Sequence, residues 1–119
     1  MEAIDVAKKI ESKISMIQKM RGQLAERAEK KSIAIANYDK NIALTIIKLR
    51  NGIEMIFENE IIKDPPATIM EKIAKGICWQ EKLELEITES SYKSLITNIE
   101  CVQAELNGLQ SINKYLDKL

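Results

Sequence analysis

Lys72, Lys75, Trp79 and Lys82 follow one another at spacings of three, four and three in a stretch with helical periodicity, which sets them on one stripe of a 3.6-residue helix. That pattern suits a flat anionic ligand such as a nucleotide. The ammonium groups and the N–H groups of a nearby helix start would hold phosphate, and the indole would stack on a ring. Arg50 and Asn51 lie near the same end of the expected fold and complete the candidate set. The same four helical residues also fit a structural role, with Trp79 packed into a subunit interface and lysine stems covering apolar surface while their charges stay in water.

Other chemistry finds little to work with. The chain has no histidine, which removes the usual general base at neutral pH and the commonest metal ligand. Its two cysteines, Cys78 and Cys101, do not have zinc-site spacing. On one helix they stand about 34 Å apart at 1.5 Å per residue, too far to bridge, so both are expected as free, buried thiols. There is no phosphate-cradling glycine loop and no serine in a nucleophile elbow. A carboxylate di-metal site between helices would want Glu-x-x-His. The expectation is a protein that binds and does not catalyse, with no catalytic residues, no metal and no cofactor.

The elements that must carry the stripe are helices. The only two prolines, Pro65 and Pro66, fall in the segment Asn51–Thr68 between two proline-free arms. The reading is an all-α, long antiparallel helical hairpin of coiled-coil type in a single domain 1–119, with helices over about 2–50 and 68–118 and a connection at 51–67. In the first arm, Ala7, Ile14, Arg21, Ala28, Ile35, Ile42 and Leu49 alternate with Ala3, Ile10, Ile17, Leu24, Lys31, Tyr38 and Thr45 as a seam. Ile33, Ile46 and Ile47 widen the apolar stripe beyond what one partner helix covers, which implies an oligomeric helical bundle. In the second arm Tyr92, Leu95, Ile99, Val102, Leu106, Leu109, Asn113 and Leu116 form a seam. Ile69, Ile73, Gln80, Leu83 and Ile87 form an earlier stripe in an offset register. Gly76 and Gly108 sit inside the helical pattern, with close helix approach as a motive. At the connection, Ile53–Ile62 reads as a short β-hairpin turning at Glu58–Asn59, or equally as a frayed helix end and loop. Thr68 and Glu71 have capping-box spacing.

A chain of 119 residues with 45% hydrophobic and 4% aromatic residues suits a helical bundle, and a two-helix hairpin of this length is too thin to bury a globular core alone. Homo-oligomers are therefore expected. The formal charge is zero, which makes a nucleic-acid-coating role unlikely. Basic residues prevail over Lys8–Lys31 and acidic ones over Glu81–Glu105, which favours antiparallel pairing of the arms. No apolar run has bilayer-spanning length and Met1–Lys13 lacks a signal core, so no membrane role and a cytoplasmic location in a host cell are expected.

The runs PPATIMEKIAKG (Pro65–Gly76), ICWQEKLELE and AELNGLQSINKYLD resemble small helical prophage proteins of Gram-positive bacteria. Such proteins often resemble counter-defence factors, so the resemblance implies a phage protein that sequesters a nucleotide-derived immune signal or blocks a host defence protein. The alternative is a structural or recombination-accessory coiled coil acting on nucleic acid. In shape alone the expected architecture is similar to prefoldin.

Overall fold

The computed structural model describes residues 2–118; the outermost ends of the expected domain span, Met1 and Leu119, lie outside them. Of the described residues 84% are helical. Helix α1 (Ala3–Arg50) leads into strands β1 (Met55–Phe57) and β2 (Glu60–Ile62), followed by α2 (Ala67–Ile77) and α3 (Trp79–Asp117). The expected helical hairpin is present, and the β-hairpin is the alternative realised at its connection.

Each boundary has a local cause. Asp5 in the first turn of α1 and Lys48 and Arg50 in its last turn complement the helix dipole. Gly52, at φ +73°, then stops the helix: the Ile53 N–H donates to the Lys48 carbonyl at 3.0 Å and the Gly52 N–H to the Leu49 carbonyl at 3.2 Å. That is a Schellman motif, whose left-handed residue glycine supplies without steric cost. β1 and β2 pair antiparallel with Phe57 opposite Glu60 and Met55 opposite Ile62. The two residues between them, Glu58 and Asn59, both have positive φ, as a two-residue turn that matches strand twist requires.

The start of α2 at Ala67 falls where the prolines place it, but the expected capping box does not form. Pro66 occupies the N-cap with no side-chain hydrogen bond, Thr68 is already inside the helix, and Glu71 pairs instead with Lys75 one turn on. The second arm is also two helices rather than one. Cys78 interrupts it at φ −88°, ψ 29°, although the Cys78 N–H still reaches the Ala74 carbonyl and the Lys82 N–H the Cys78 carbonyl.

The chain forms two compact units, one from the residues up to Glu29 with those from Ser90 onward, the other from Lys30–Glu89. In unit one, Ile17, Val102 and Leu106 form a buried cluster with Ile10 and Met20 packed against it. Val6 and Leu95 are buried as well. Lys13 forms an ion pair with Glu105, and Arg27 Nη1 donates to the Ser91 carbonyl at 3.0 Å. Partners thus fall in number along α3 as they rise along α1, the mark of antiparallel packing. In unit two the buried side chains are Ala34, Thr45, Leu49, Met70, Ala74, Cys78, Leu85 and Thr88.

The burial pattern corrects the expected seam of α1. One of its rows, Ile10, Ile17, Leu24, Lys31, Tyr38 and Thr45, does face inward. Through Asn41 the other row is one residue earlier than expected: Val6, Lys13, Met20, Arg27, Ala34 and Asn41 are buried or half-buried, whereas Ala7, Ile14, Arg21 and Ile35 are exposed; of the expected row Ala28 and Ile42 are half-buried and Leu49 is buried. A shift of one residue turns a helix by about 100°, and the isoleucines at 14 and 35 make the wrong row look like the core. On α3 the seam Tyr92–Leu116 is as expected, and it continues without offset through Thr88, Leu85, Glu81 and Cys78. The expected junction between two registers does not occur. Ile69, Leu83 and Ile87 instead form a separate row that is 44%, 52% and 53% exposed.

Glycines and cysteines also differ from expectation. A Cβ at Gly76 would meet only the Phe57 ring, at an ordinary 3.8 Å, and one at Gly108 would meet nothing within 4 Å, so neither glycine is held by close helix approach within its unit. Cys78 is a buried free thiol as expected, but Cys101 is exposed because, beside the exposed Glu100, it falls off the seam one residue short of Val102.

Candidate functional site

All six residues singled out by the sequence belong to unit two. Arg50 ends α1, Asn51 begins the connection, Lys72 and Lys75 stand on α2, and Trp79 and Lys82 on the first turn of α3. All six are exposed.

Lys75 and Lys82 are brought together along one groove of about 490 Å³, whose other lining residues include Tyr38, Asp39, Ile42, Ile46 and Glu71. Lys72, Trp79, Arg50 and Asn51 do not line it. Lys75 Nζ is 3.2 Å from a Glu71 carboxylate oxygen, and Lys82 Nζ is 3.0 Å from one of Glu86 and 5.3 Å from the centre of the Tyr38 ring. Hydrogen bonding to Glu86, then the charge of Glu86, with Tyr38 and Glu89 adding to it, holds the Lys82 pKa above its ordinary 10.5. Two lysines facing Glu71 and Asp39 leave the groove with little net field for an anion.

Distance also separates the parts of the expected anion site. Ala67, where α2 begins, and Trp79 are about 18 Å apart at 1.5 Å per residue, beyond the span of one base and its own phosphate. Trp79, 48% exposed, is thus set well along the helices from the backbone N–H groups at the start of α2.

Beneath this surface unit two is held by polar contacts. Asn41 Nδ2 donates to Glu81 at 3.1 Å. The Thr45 hydroxyl donates to the Asn41 carbonyl at 2.7 Å, and its oxygen lies 3.6 Å from Cys78 Sγ. With the one hydroxyl proton engaged by Asn41, the Cys78 S–H is the donor to Thr45. Thr88 turns back onto the Glu84 and Leu85 carbonyls, both at 3.0 Å. Among the described residues no buried side-chain polar atom lacks a partner.

Sequence reasoning placed Leu83 and Ile87 in a seam, and so missed that they stand on an outward face with Ile33, Leu44 and Ile47 of α1, all exposed. A groove lined by Ile33, Ala34, Asn37 and Glu84 fixes these edges of α1 and α3 on one side of unit two. The signal was present: the heptad spacing from Leu85 through Thr88 to Tyr92 extends the correct seam, but a threonine and a glutamate look less like core than Leu83 and Ile87 do.

In unit one a second groove, about 560 Å³, is lined by Lys9, Ser12, Lys13, Glu105, Gly108, Leu109 and Ile112. The polar cluster around it bonds within α3, Gln103 to Asn107 at 3.1 Å and Ser111 to the Asn107 carbonyl at 3.1 Å, while Tyr115 is exposed. Among the described residues no group of three or more Cys, Asp or Glu side chains gathers as a metal site, and no helix is long and apolar enough to cross a membrane. No protein-family model, curated protein or solved structure matches the chain.

Proposed function

We propose that the chain is a non-enzymatic binding protein of the phage counter-defence kind, working as assembled copies, in which unit two engages a host defence protein through a patch centred on Trp79. The supporting observation is the position of Trp79: the only tryptophan is about half exposed, and the neighbouring Lys75–Glu71 and Lys82–Glu86 ion pairs give it a mixed-charge border. An aromatic centre with a solvated polar rim is the composition of a protein-binding hot spot. A nucleotide-derived signal is the second reading, carried by Lys72 and Lys75 on the exposed stripe beside the indole.

The test follows Trp79 fluorescence and thermal melting of the full chain against purified defence enzymes and, separately, against cyclic and linear nucleotides. A defence enzyme that shifts the indole emission to the blue, with binding weakened at least about tenfold in Trp79→Ala, supports the proposal. Lys72→Glu separates the readings, since it abolishes nucleotide binding and leaves a Trp-anchored protein contact largely intact. Loss of assembly in Trp79→Ala would make this residue structural, and steeply salt-dependent DNA binding would favour the nucleic-acid alternative.

A further inference from the structure

We propose that a second copy of this chain covers the outward apolar face of unit two, related to the first by a two-fold axis parallel to the helices, so that α1 of each copy lies on α3 of the other. This rests on the reading that copies assemble, and adds the face, the partner helix and the register.

The face is defined by geometry. At about 100° per residue, Ile33, Lys40, Leu44 and Ile47 fall within one sector of α1 roughly 60° wide, and Leu83, Glu84 and Ile87 within one of α3 roughly 100° wide. The groove shared by Ile33 and Glu84 puts both sectors on the same side. Tyr38, Ile42, Lys75 and Lys82 line a different groove, and Trp79 stands one turn before Leu83, at the border of the face. Five large aliphatic side chains stay exposed here, above an interior in which Leu49, Met70 and Leu85 are joined by alanine, threonine and an Asn41–Glu81 hydrogen bond. A cluster of exposed large aliphatic side chains on one face calls for a cover.

Charge selects a second copy as that cover. Within the face α1 carries a cation, Lys40, and α3 an anion, Glu84. The Asn41–Glu81 bond and the Lys82 ammonium over Tyr38 put Lys40 at the height of about residue 82 of α3, so across the parallel two-fold axis Lys40 of one copy comes within about 3 Å of the height of Glu84 of the other. In the same register Ile33 comes within about 3 Å of the height of Ile87. An isologous contact makes each pairing twice. A two-fold axis across the helices would instead set Lys40 against Lys40 and Glu84 against Glu84. The favoured arrangement has every helix antiparallel to its neighbours, the geometry of a four-helix bundle.

Sedimentation equilibrium of the full chain tests this, with circular dichroism confirming helix content in each variant. The wild type is expected to associate reversibly. Leu83→Glu should raise the dissociation constant at least about 100-fold by placing charge in the apolar centre. Lys40→Glu and Glu84→Lys alone should each raise it about tenfold, and the double exchange should bring it back to within about threefold of wild type. A monomeric wild type would overturn both the assembly and this face. An oligomer indifferent to Leu83→Glu, or one in which the double exchange is no better than the singles, would overturn this face and leave assembly through another surface standing.

Discussion

In unit one the seam between α1 and α3 is filled by Val6, Ile17, Leu95, Val102 and Leu106; in unit two Leu49, Leu85 and Met70 are buried together with the smaller or polar Ala34, Thr45, Ala74, Cys78 and Thr88. The exteriors reverse the order. Among the described residues, the exposed large apolar side chains of unit one are Ile4, Ile14, Met16, Ile112 and Tyr115, whereas unit two exposes Ile33, Ile35, Leu44, Ile47, Ile53, Ile56, Ile61, Ile69, Trp79, Leu83 and Ile87. Unit one has the polarity of a self-sufficient helix pair. Unit two mixes small and polar residues into its interior and keeps a larger hydrophobic area outside, where another molecule can remove it from water.

The largest effect that could break this contrast comes from paired truncations. Ile17→Ala, in the buried cluster of unit one, should cost about 2–4 kcal/mol in urea unfolding. Ile47→Ala, on the outer face of unit two, should cost less than about 0.5 kcal/mol in dilute protein and more as protein concentration rises. Equal costs at every dilution would erase the difference between the units.

Glycines give a smaller and opposite pair. Gly52→Ala in unit two forces a left-handed alanine whose Cβ meets Asp64 Oδ1 at 3.3 Å, and should destabilise by about 1–2 kcal/mol. Gly108→Ala in unit one meets nothing within 4 Å and should stabilise by about 0.5–1 kcal/mol, measured by the same unfolding curves. A Gly108→Ala variant that loses stability would show that unit one, too, is closely approached in the assembly.

The smallest effect is electrostatic. Because the Lys82 pKa is raised on folding, its contribution is complete below the ordinary 10.5 of the unfolded chain and is lost as pH rises through the higher folded value. Nitrogen-detected titration should find the Lys82 midpoint above 10.5 and lower in Glu86→Gln than in the wild type. An unchanged midpoint in that variant would remove Glu86 as the cause.

Much of this fold was legible in the residues, and the comparison of units explains where legibility ended. The seam Tyr92–Leu116 was readable because apolar residues fill it. Within Lys30–Glu89 the same rule pointed the wrong way, choosing Ile35, Leu83 and Ile87 over Ala34, Leu85 and Thr88. Gly52 carried a readable stop signal, a glycine just past the basic last turn of α1. The break at Cys78 carried none, since no proline or glycine occupies it and only its surroundings distort the helix there. The candidate site was legible as a stripe of residue types, but not the carboxylates Glu71 and Glu86 that face its lysines.

The unbroken spacing of buried and half-buried positions on α3, from Glu81 to Leu116 in steps of three and four, makes this helix a ruler graduated in sevens. Deleting one residue between two marks would swing everything downstream by about 100° and present its charged side to α1. Removing seven would keep every face in place. Length variation along α3 is therefore admissible only in whole heptads, whatever the identity of the exposed residues.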